Sequence, residues 1–418
     1  MSRIIASRPS ARHRPLFRFP GPSALLSLLL VSIILTSTAS SIAAAPGLAS
    51  ETRPAGAIDP PAVSARAIFS YDLTSGVVLY EKNPTERMQV GSTVKIMTAL
   101  VVMKLGKLDD EVLILESDEV DVEMYSNMQL VAGDTLTVGT LLYGLLLPSG
   151  NDGANALARH IGGQISGSDD PNTAINAFVE AMNDMAAELG LRNSNFTNPS
   201  GIDSKNSYSS AQDIAILFGR LMKDPKLADI VAQPAYSFLS AGPRPRQYQG
   251  QTTNELLNKS GVIGGKTGTT DDAGGCVVFA RQVNGGANTV ITAVLGSEVT
   301  YDSTGMKAED VRWDDAQKIL NEMDARFSWV VPGADDTFPG LAEEMAIWQV
   351  EFRDPPAIPV PSGDDSRTTY QLVLGPPVDA GERCGTVRLL VSGRTVGSIP
   401  IYQTGAAASL PPVLAWAA

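Results

Sequence analysis

Ser92 and Lys95 stand one helical turn apart in the run Gly91-Ser92-Thr93-Val94-Lys95-Ile96-Met97-Thr98-Ala99-Leu100, and together they could do chemistry. Residues at i and i+3 share a helical face, so the hydroxyl and the amine can meet. Serine is a poor nucleophile at neutral pH unless a neighbouring group takes its proton. Lysine can be that group only when burial, a second cation or a helix N-terminus brings its pKa well below the usual value of about 10.4. Ile96, Met97, Leu100 and Val101 offer the burial, and no other lysine in the chain has a serine three residues before it. Judged alone, the stretch fits better an N-capping serine before a core helix with a snorkelling lysine.

Two later stretches carry reactive side chains as well. Ser149-Gly150-Asn151 joins two helix-like runs, where a turn that starts the second helix is the ordinary reading. In Gly264-Gly265-Lys266-Thr267-Gly268-Thr269-Thr270, glycines on both sides of Lys266 and Thr267 suggest a strand edge that something approaches closely. A glycine-rich hairpin with a solvated lysine is the plainer alternative. The stretch lacks the glycine spacing of a phosphate loop.

Composition narrows the chemistry. His13 falls in the N-terminal segment, which leaves His160 as the one histidine of the body. A zinc site built on two or three histidines is thereby excluded, and a Ser-His-Asp triad would rest on His160. That residue ends the helix-like run Asn151 to His160 before Ile161-Gly162-Gly163, a place for a capping or solvated role. A hydrolase here must find another base. The formal net charge is −13, and the first 45 residues hold five arginines and no acid, so the body is more acidic still. Such a surface repels phosphate backbones and argues against a nucleic-acid partner.

The chain begins with a basic segment, an apolar run from Ala24 to Thr36, and small residues around Ala43-Ala44-Ala45, the pattern of an export signal. Cleavage is favoured because the strongly apolar part is short; if retained, the uncharged stretch from Pro22 to Ser50 would just reach across a bilayer and keep the protein near a membrane. Cys276 and Cys384 look to lie in different domains, so no bridge between them is expected.

These stretches need elements to position them. Ala67 to Tyr71 and Val77 to Tyr80 read as a hairpin. Short strands are expected at Val112 to Glu116, Met128 to Leu130 and Thr135 to Thr137, then helices at Leu141 to Leu147, Ala174 to Leu189 and from a capping box at Ser210 through Leu221. Strands at Cys276 to Arg281 and Val290 to Leu295 follow, then a helix from Glu309 to Ala325. Beyond Phe327, short alternating runs at Ala346 to Phe352, Thr369 to Leu374, Thr386 to Val391 and Thr395 to Tyr402 read as a small all-β domain of sandwich type. A chain of 418 residues has room for two or three such units.

Taken in order, Ser92-x-x-Lys95, Ser149-Gly150-Asn151 and Lys266-Thr267-Gly268 resemble the motif set of the low-molecular-mass penicillin-binding proteins, the D-alanyl-D-alanine carboxypeptidases of the serine peptidase class. The opening hairpin, Leu141 to Asp152, Asn198 to Asp203 and Tyr208-Ser209-Ser210-Ala211 look like the family too. The resemblance implies an α+β fold of the β-lactamase/transpeptidase type: an antiparallel sheet flanked by helices, a helical lobe, and the site between them. The expected organisation is a signal or retained anchor over 1–45, a linker over 46–61, the catalytic domain over 62–326, the β domain over 327–404 and an apolar tail over 405–418.

The same resemblance implies roles. Ser92 would attack the bond between two D-alanines of a peptidoglycan stem peptide, and Lys95 would take its proton while Lys266 keeps Lys95 neutral. Ser149 would pass a proton to the leaving amine, and Asn151 would hold the substrate backbone or Lys95. Backbone N–H groups of Ser92 and Thr269 would form the oxyanion hole. Lys266 and Thr267, followed by Gly268, would bind the terminal carboxylate or that of a β-lactam inhibitor. No metal or cofactor is implied, and the oligomeric state is left open.

One departure stands out: an arginine expected shortly after the strand beyond the Lys-Thr-Gly motif is missing, and Leu295-Gly296-Ser297-Glu298 stands there instead. A β-lactamase would need a deacylating glutamate, and Glu255 lies too near Lys266 to be one. An endopeptidase or transpeptidase would use the same residues, and a non-catalytic wall-binding protein would have no need of them.

Overall fold

Five antiparallel strands make the central sheet, in the order β2-β1-β9-β8-β7. With elements numbered along the chain, these are β1 (Ala67–Asp72), β2 (Val78–Lys82), β7 (Val262–Thr270), β8 (Gly274–Val283) and β9 (Asn288–Ser297). The computed structural model describes residues 58–303, 307–334, 337–362, 368–376, 378–391 and 393–405. The expected export segment, most of the linker and the tail beyond Gly405 lie outside the described residues. Among the described residues no helix is long and apolar enough to cross a membrane.

Successive side chains of a strand point to opposite faces. Phe69, Val278 and Ala293 accordingly belong to one core, and Ile68, Phe279 and Val294 to another. The first face packs under α1 (Lys95–Leu105) and α5 (Ala211–Met222), the second under α7 (Arg312–Arg326). Burial on both faces explains why these strands read as unbroken apolar runs.

The helical lobe is formed by α2 (Val138–Leu146), α3 (Asn151–Ser166) and α4 (Pro171–Glu188) around α1. Every residue of α1 from Lys95 to Val102 is buried, as expected for a helix without a polar stripe. Helix α4 crosses α3 so closely that a Cβ on Gly162 would fall 1.9 Å from the Ala174 carbonyl oxygen. Local signals set the helix starts: Asp170 accepts from the Thr173 N–H with proline next in line, and Ser210 accepts from the Asp213 N–H.

Several expectations are corrected. Helix α3 does not stop near His160 but continues to Ser166, capped by Gly167 at φ 67°, so His160 lies inside a helix. Met128 to Leu130 is not a strand; its N–H groups turn inward to the Asp152 carboxylate. The partner of β4 (Thr135–Thr137) is β3 (Glu111–Leu113) instead. Helix α6 (Pro225–Val231) and the hairpin of β5 (Ala235–Leu239) and β6 (Gln247–Gln251) carry no strong periodic signal and went unforeseen. The helix expected from Glu309 starts at Arg312 instead, because Glu309 and Asp310 belong to strand β11 (Lys307–Asp310), paired with β10 (Val299–Tyr301).

The C-terminal region is mainly β. Strand β12 (Phe327–Val330) pairs with β14 (Ile358–Pro361), and β13 (Val350–Glu351), β15 (Thr368–Leu374), β16 (Arg383–Val391) and β17 (Arg394–Gln403) form a sheet ordered β13-β17-β16-β15. Leu341–Ile347, which overlaps the strand expected from Ala346, is helix α8, with Glu343 and Glu344 favouring its positive N-terminal end. This region is seated on the central sheet through Asp72, whose buried carboxylate accepts from the Trp329 indole N–H (2.8 Å) and the Asn288 amide (2.9 Å). Cys276 and Cys384 are both buried and unbonded to each other.

Candidate active site

The chain enters α1 through one 3₁₀ turn, Gly91–Val94. Ser92 lies inside that turn and caps nothing; the capping position belongs to Val90. In a 3₁₀ turn i and i+3 nearly eclipse, and Lys95 Nζ stands 2.8 Å from Ser92 Oγ. Lys95 is fully buried, and the same Nζ donates to Asn151 Oδ1 (2.5 Å) and to the Ser200 carbonyl (2.6 Å). A neutral amine has two N–H donors and one lone pair. Two pure acceptors consume the donors, so the lone pair is left facing the Ser92 hydroxyl. Burial pulls the Lys95 pKa well below its usual value, the nearby Lys266 charge lowers it further, and Asp152 opposes both.

Lys266, on β7, is also buried, and its Nζ donates to Ser149 Oγ (2.7 Å) and to the Thr267 carbonyl (2.9 Å). Burial and then the charge of Arg312 bring its pKa down to about 7. Ser149 sits at φ 67°, a left-handed conformation that a non-glycine residue adopts at a cost. Its place between α2 and α3 holds the hydroxyl against Lys266. The structure thus brings together Ser92, Lys95, Ser149, Asn151 and Lys266, and of the two roles open to Asn151 it shows contact with Lys95.

Strand β7 meets the 3₁₀ turn backbone to backbone. A Cβ on Gly268 would lie 2.5 Å from the Val90 carbonyl and 2.9 Å from Ser92 N, and one on Gly91 would lie 3.0 Å from Thr269 N. The Thr269 amide is thereby brought beside the turn that carries Ser92. Gly268→Ala is expected to push β7 off this turn and lower kcat/KM for acylation by about 10²-fold, the scale of a 1 Å misplacement. Penicillin acylation rates measured beside the melting temperature would separate this loss from unfolding.

Three contributors were not singled out as site residues. The Asn198–Asp203 segment, noted only as a matching piece, supplies the Ser200 carbonyl to Lys95. Asn198 Oδ1 shapes it by accepting from the Ser200 (3.1 Å) and Gly201 (2.7 Å) N–H groups. Asp152, next to the Ser-Gly-Asn motif, ties down the Met128–Leu130 strip. Arg312 is the third. It is buried at the start of α7 and donates to the Gly268 carbonyl (2.9 Å), the Cys276 carbonyl (3.0 Å), Thr269 Oγ1 (2.5 Å) and Asp310 Oδ2 (2.6 Å). An arginine does stand behind the Lys-Thr-Gly strand; it comes from beyond the β10–β11 hairpin, not from the place Glu298 occupies. A lone buried arginine leaves no periodic signal, so only a search past the hairpin would have found it.

Comparisons with known proteins agree with this geometry. Residues 55–299 match the peptidase S11 family, described as D-alanyl-D-alanine carboxypeptidase. The chain is similar to the D-alanyl-D-alanine carboxypeptidase of Streptomyces sp. strain K15, 36% identical over 276 residues that cover 64% of this chain and 90% of that one. It is also similar to D-alanyl-D-alanine carboxypeptidase DacC of Escherichia coli K12, 28% identical over 370 residues covering 82% and 84% of the two chains. The crystal structure of the Streptomyces K15 DD-transpeptidase superposes with a TM-score of 0.56 at 34% identity, covering 63% of this chain and 98% of that one. With the three motifs joined by hydrogen bonds and more than half of the chain matched, the protein belongs to the D-alanyl-D-alanine carboxypeptidase family of serine peptidases.

Proposed function

We propose that this serine-type D-alanyl-D-alanine carboxypeptidase works through an acyl-enzyme on Ser92. Neutral Lys95 takes the Ser92 proton as Oγ attacks the carbonyl between the two D-alanines. The Ser92 and Thr269 N–H groups receive the oxyanion, where fixed dipoles stabilise the developing charge. Ser149, hydrogen-bonded to Lys266, passes a proton to the leaving amine, and free D-alanine departs. Water, activated by the same lysine, then releases the shortened stem peptide. Lys266 and Thr267 bind the terminal carboxylate, and a β-lactam carboxylate by the same contacts. The observation that carries this reading is the geometry at Lys95: a fully buried amine 2.8 Å from Ser92 Oγ, with Asn151 Oδ1 and the Ser200 carbonyl as its other two partners.

Transfer of the acyl group to an amine in place of water is the second reading, supported by the likeness to a solved DD-transpeptidase. It needs no other residues, only an amine acceptor that outcompetes water. An extracytoplasmic place of work is part of the proposal, because uncleaved wall substrates lie there and the N-terminal sequence has the export pattern. The β-rich C-terminal region is proposed as a stand-off or partner-binding unit with no part in the chemistry.

Incubation with penicillin followed by intact-mass measurement tests the nucleophile. Wild type should gain one penicilloyl group, and Ser92→Ala should gain none and release no D-alanine. An adduct that persists in Ser92→Ala would assign the nucleophile to another residue.

A further inference from the structure

The hydroxyl of Thr253 lies 2.6 Å from that of Thr267, although Thr253 belongs to none of the three motifs. It sits in the loop between β6 and β7, held at both its backbone and its side chain. Its N–H donates to the Leu147 carbonyl (3.1 Å), two residues before Ser149, while its side chain meets β7. The next residue, Asn254, is buried against β7, where a Cβ on Gly265 would come within 2.6 Å of its amide nitrogen. Thr267 is 7% exposed, whereas Thr253 is exposed.

Two hydroxyls that share one hydrogen bond keep one O–H to spare. A carboxylate only accepts, so its arrival draws that proton toward itself and orders the pair. If Thr253 donates to Thr267, the Thr267 proton is free for the ligand, and the two-bond chain is polarised in the same sense. Lys266 spends two of its three N–H donors on Ser149 Oγ and the Thr267 carbonyl, so one ammonium N–H and the hydroxyl pair are left as donors at this corner.

We propose that Thr253 is a positioning residue for carboxylate recognition: it donates to Thr267 and commits the Thr267 proton to the terminal carboxylate of the substrate. The proposal rests on the reading in which Lys266 and Thr267 bind that carboxylate. Selectivity for a free carboxylate end is then set partly by the β6–β7 loop.

The test compares release of D-alanine from a D-Ala-D-Ala peptide with release of D-alaninamide from its C-terminal carboxamide, in wild type, Thr253→Val, Thr253→Ser and Thr267→Val. Removing the hydrogen bond that orients the Thr267 hydroxyl should raise KM for the carboxylate peptide by about 3- to 10-fold in Thr253→Val, with kcat changed far less. The carboxylate-to-carboxamide ratio of kcat/KM should fall by the same factor, and Thr253→Ser should restore it. Penicilloylation of Ser92 in each variant confirms a folded site. A ratio unchanged in Thr253→Val, or equal losses on both peptides, overturns the proposal. If Thr267→Val lowers the ratio and Thr253→Val does not, only the Thr253 proposal fails. If neither lowers it, the underlying assignment of the carboxylate site fails.

Discussion

Lys95→Ala is expected to slow acylation of Ser92 by about 10³-fold, within the range that a positioned general base contributes. Lys95→Arg should be no better, because guanidinium does not lose its proton in this range. The same assignment fixes the pH dependence. The competent free enzyme has Lys95 neutral, as base, and Lys266 charged, to meet the carboxylate. One proton is therefore held by the pair, which titrates in two coupled steps. Below the lowered pKa of Lys95 both amines are charged and kcat/KM falls as pH falls. Near pH 7 and above, Lys266 loses its proton and kcat/KM falls again, giving a bell. In the bound complex the substrate carboxylate favours the Lys266 ammonium, so the upper limb of kcat lies at higher pH than that of kcat/KM. A kcat/KM that stays flat from pH 5 to 9, or a Lys95→Ala enzyme that acylates normally, would remove Lys95 as the base.

Arg312→Met should cost about 3 kcal/mol of folding stability, read as a shift of the urea midpoint at constant slope, because it strips the partly buried Asp310 carboxylate of its buried partner and leaves it only the exposed Lys307. Arg312 is 2% exposed and Asp310 10%. The Gly268 and Cys276 carbonyls and Thr269 Oγ1 lose a donor at the same time. The folded fraction carries a second, independent signature. Without the guanidinium, Lys266 keeps only the desolvation that lowers its pKa, so the pKa rises and the upper limb of the bell moves to higher pH. Arg312→Lys keeps a charge but cannot reach all these acceptors at once, so it should retain part of the limb position and little of the stability. An unchanged limb in Arg312→Met would mean that burial alone sets the Lys266 pKa.

The central sheet and the main helices were legible because their sequences combine strong periodicity with local start and stop signals. Ser210 and Asp213 announce α5, and β8 and β9 are apolar on both faces. The reactive pairs were legible by type and order: Ser92 with Lys95, Ser149 with Asn151, Lys266 with Thr267. What resisted was whatever tertiary contact alone decides. Met128 to Leu130 alternates like a strand, yet its N–H groups are claimed by Asp152, a carboxylate some two dozen positions away. Ser200 contributes a backbone carbonyl, which any residue type would provide. Arg312 follows an unforeseen hairpin, so spacing counted from β9 missed it. The helix expected from Glu309 starts only at Arg312 because Lys307–Asp310 pairs with β10 before the chain turns into α7.

The wide separation in sequence of the parts of the site bears on its synthesis. Lys266 meets Ser149 from 117 positions away, Ser200 meets Lys95 from 105, and Ser70 of β1 bonds Thr292 of β9 from 222. A chain that emerges from its N-terminus makes Ser92 and Lys95 early and strand β7, with Lys266, late. Loop-closure entropy must be met before those long-range contacts repay it. A nascent chain that has not yet produced Gly268 therefore holds Ser92 and Lys95 without a working hydrolase. If the chain is threaded across a membrane in that order, enzymatic competence arises only after most of it has passed through, on the side where the substrate lies.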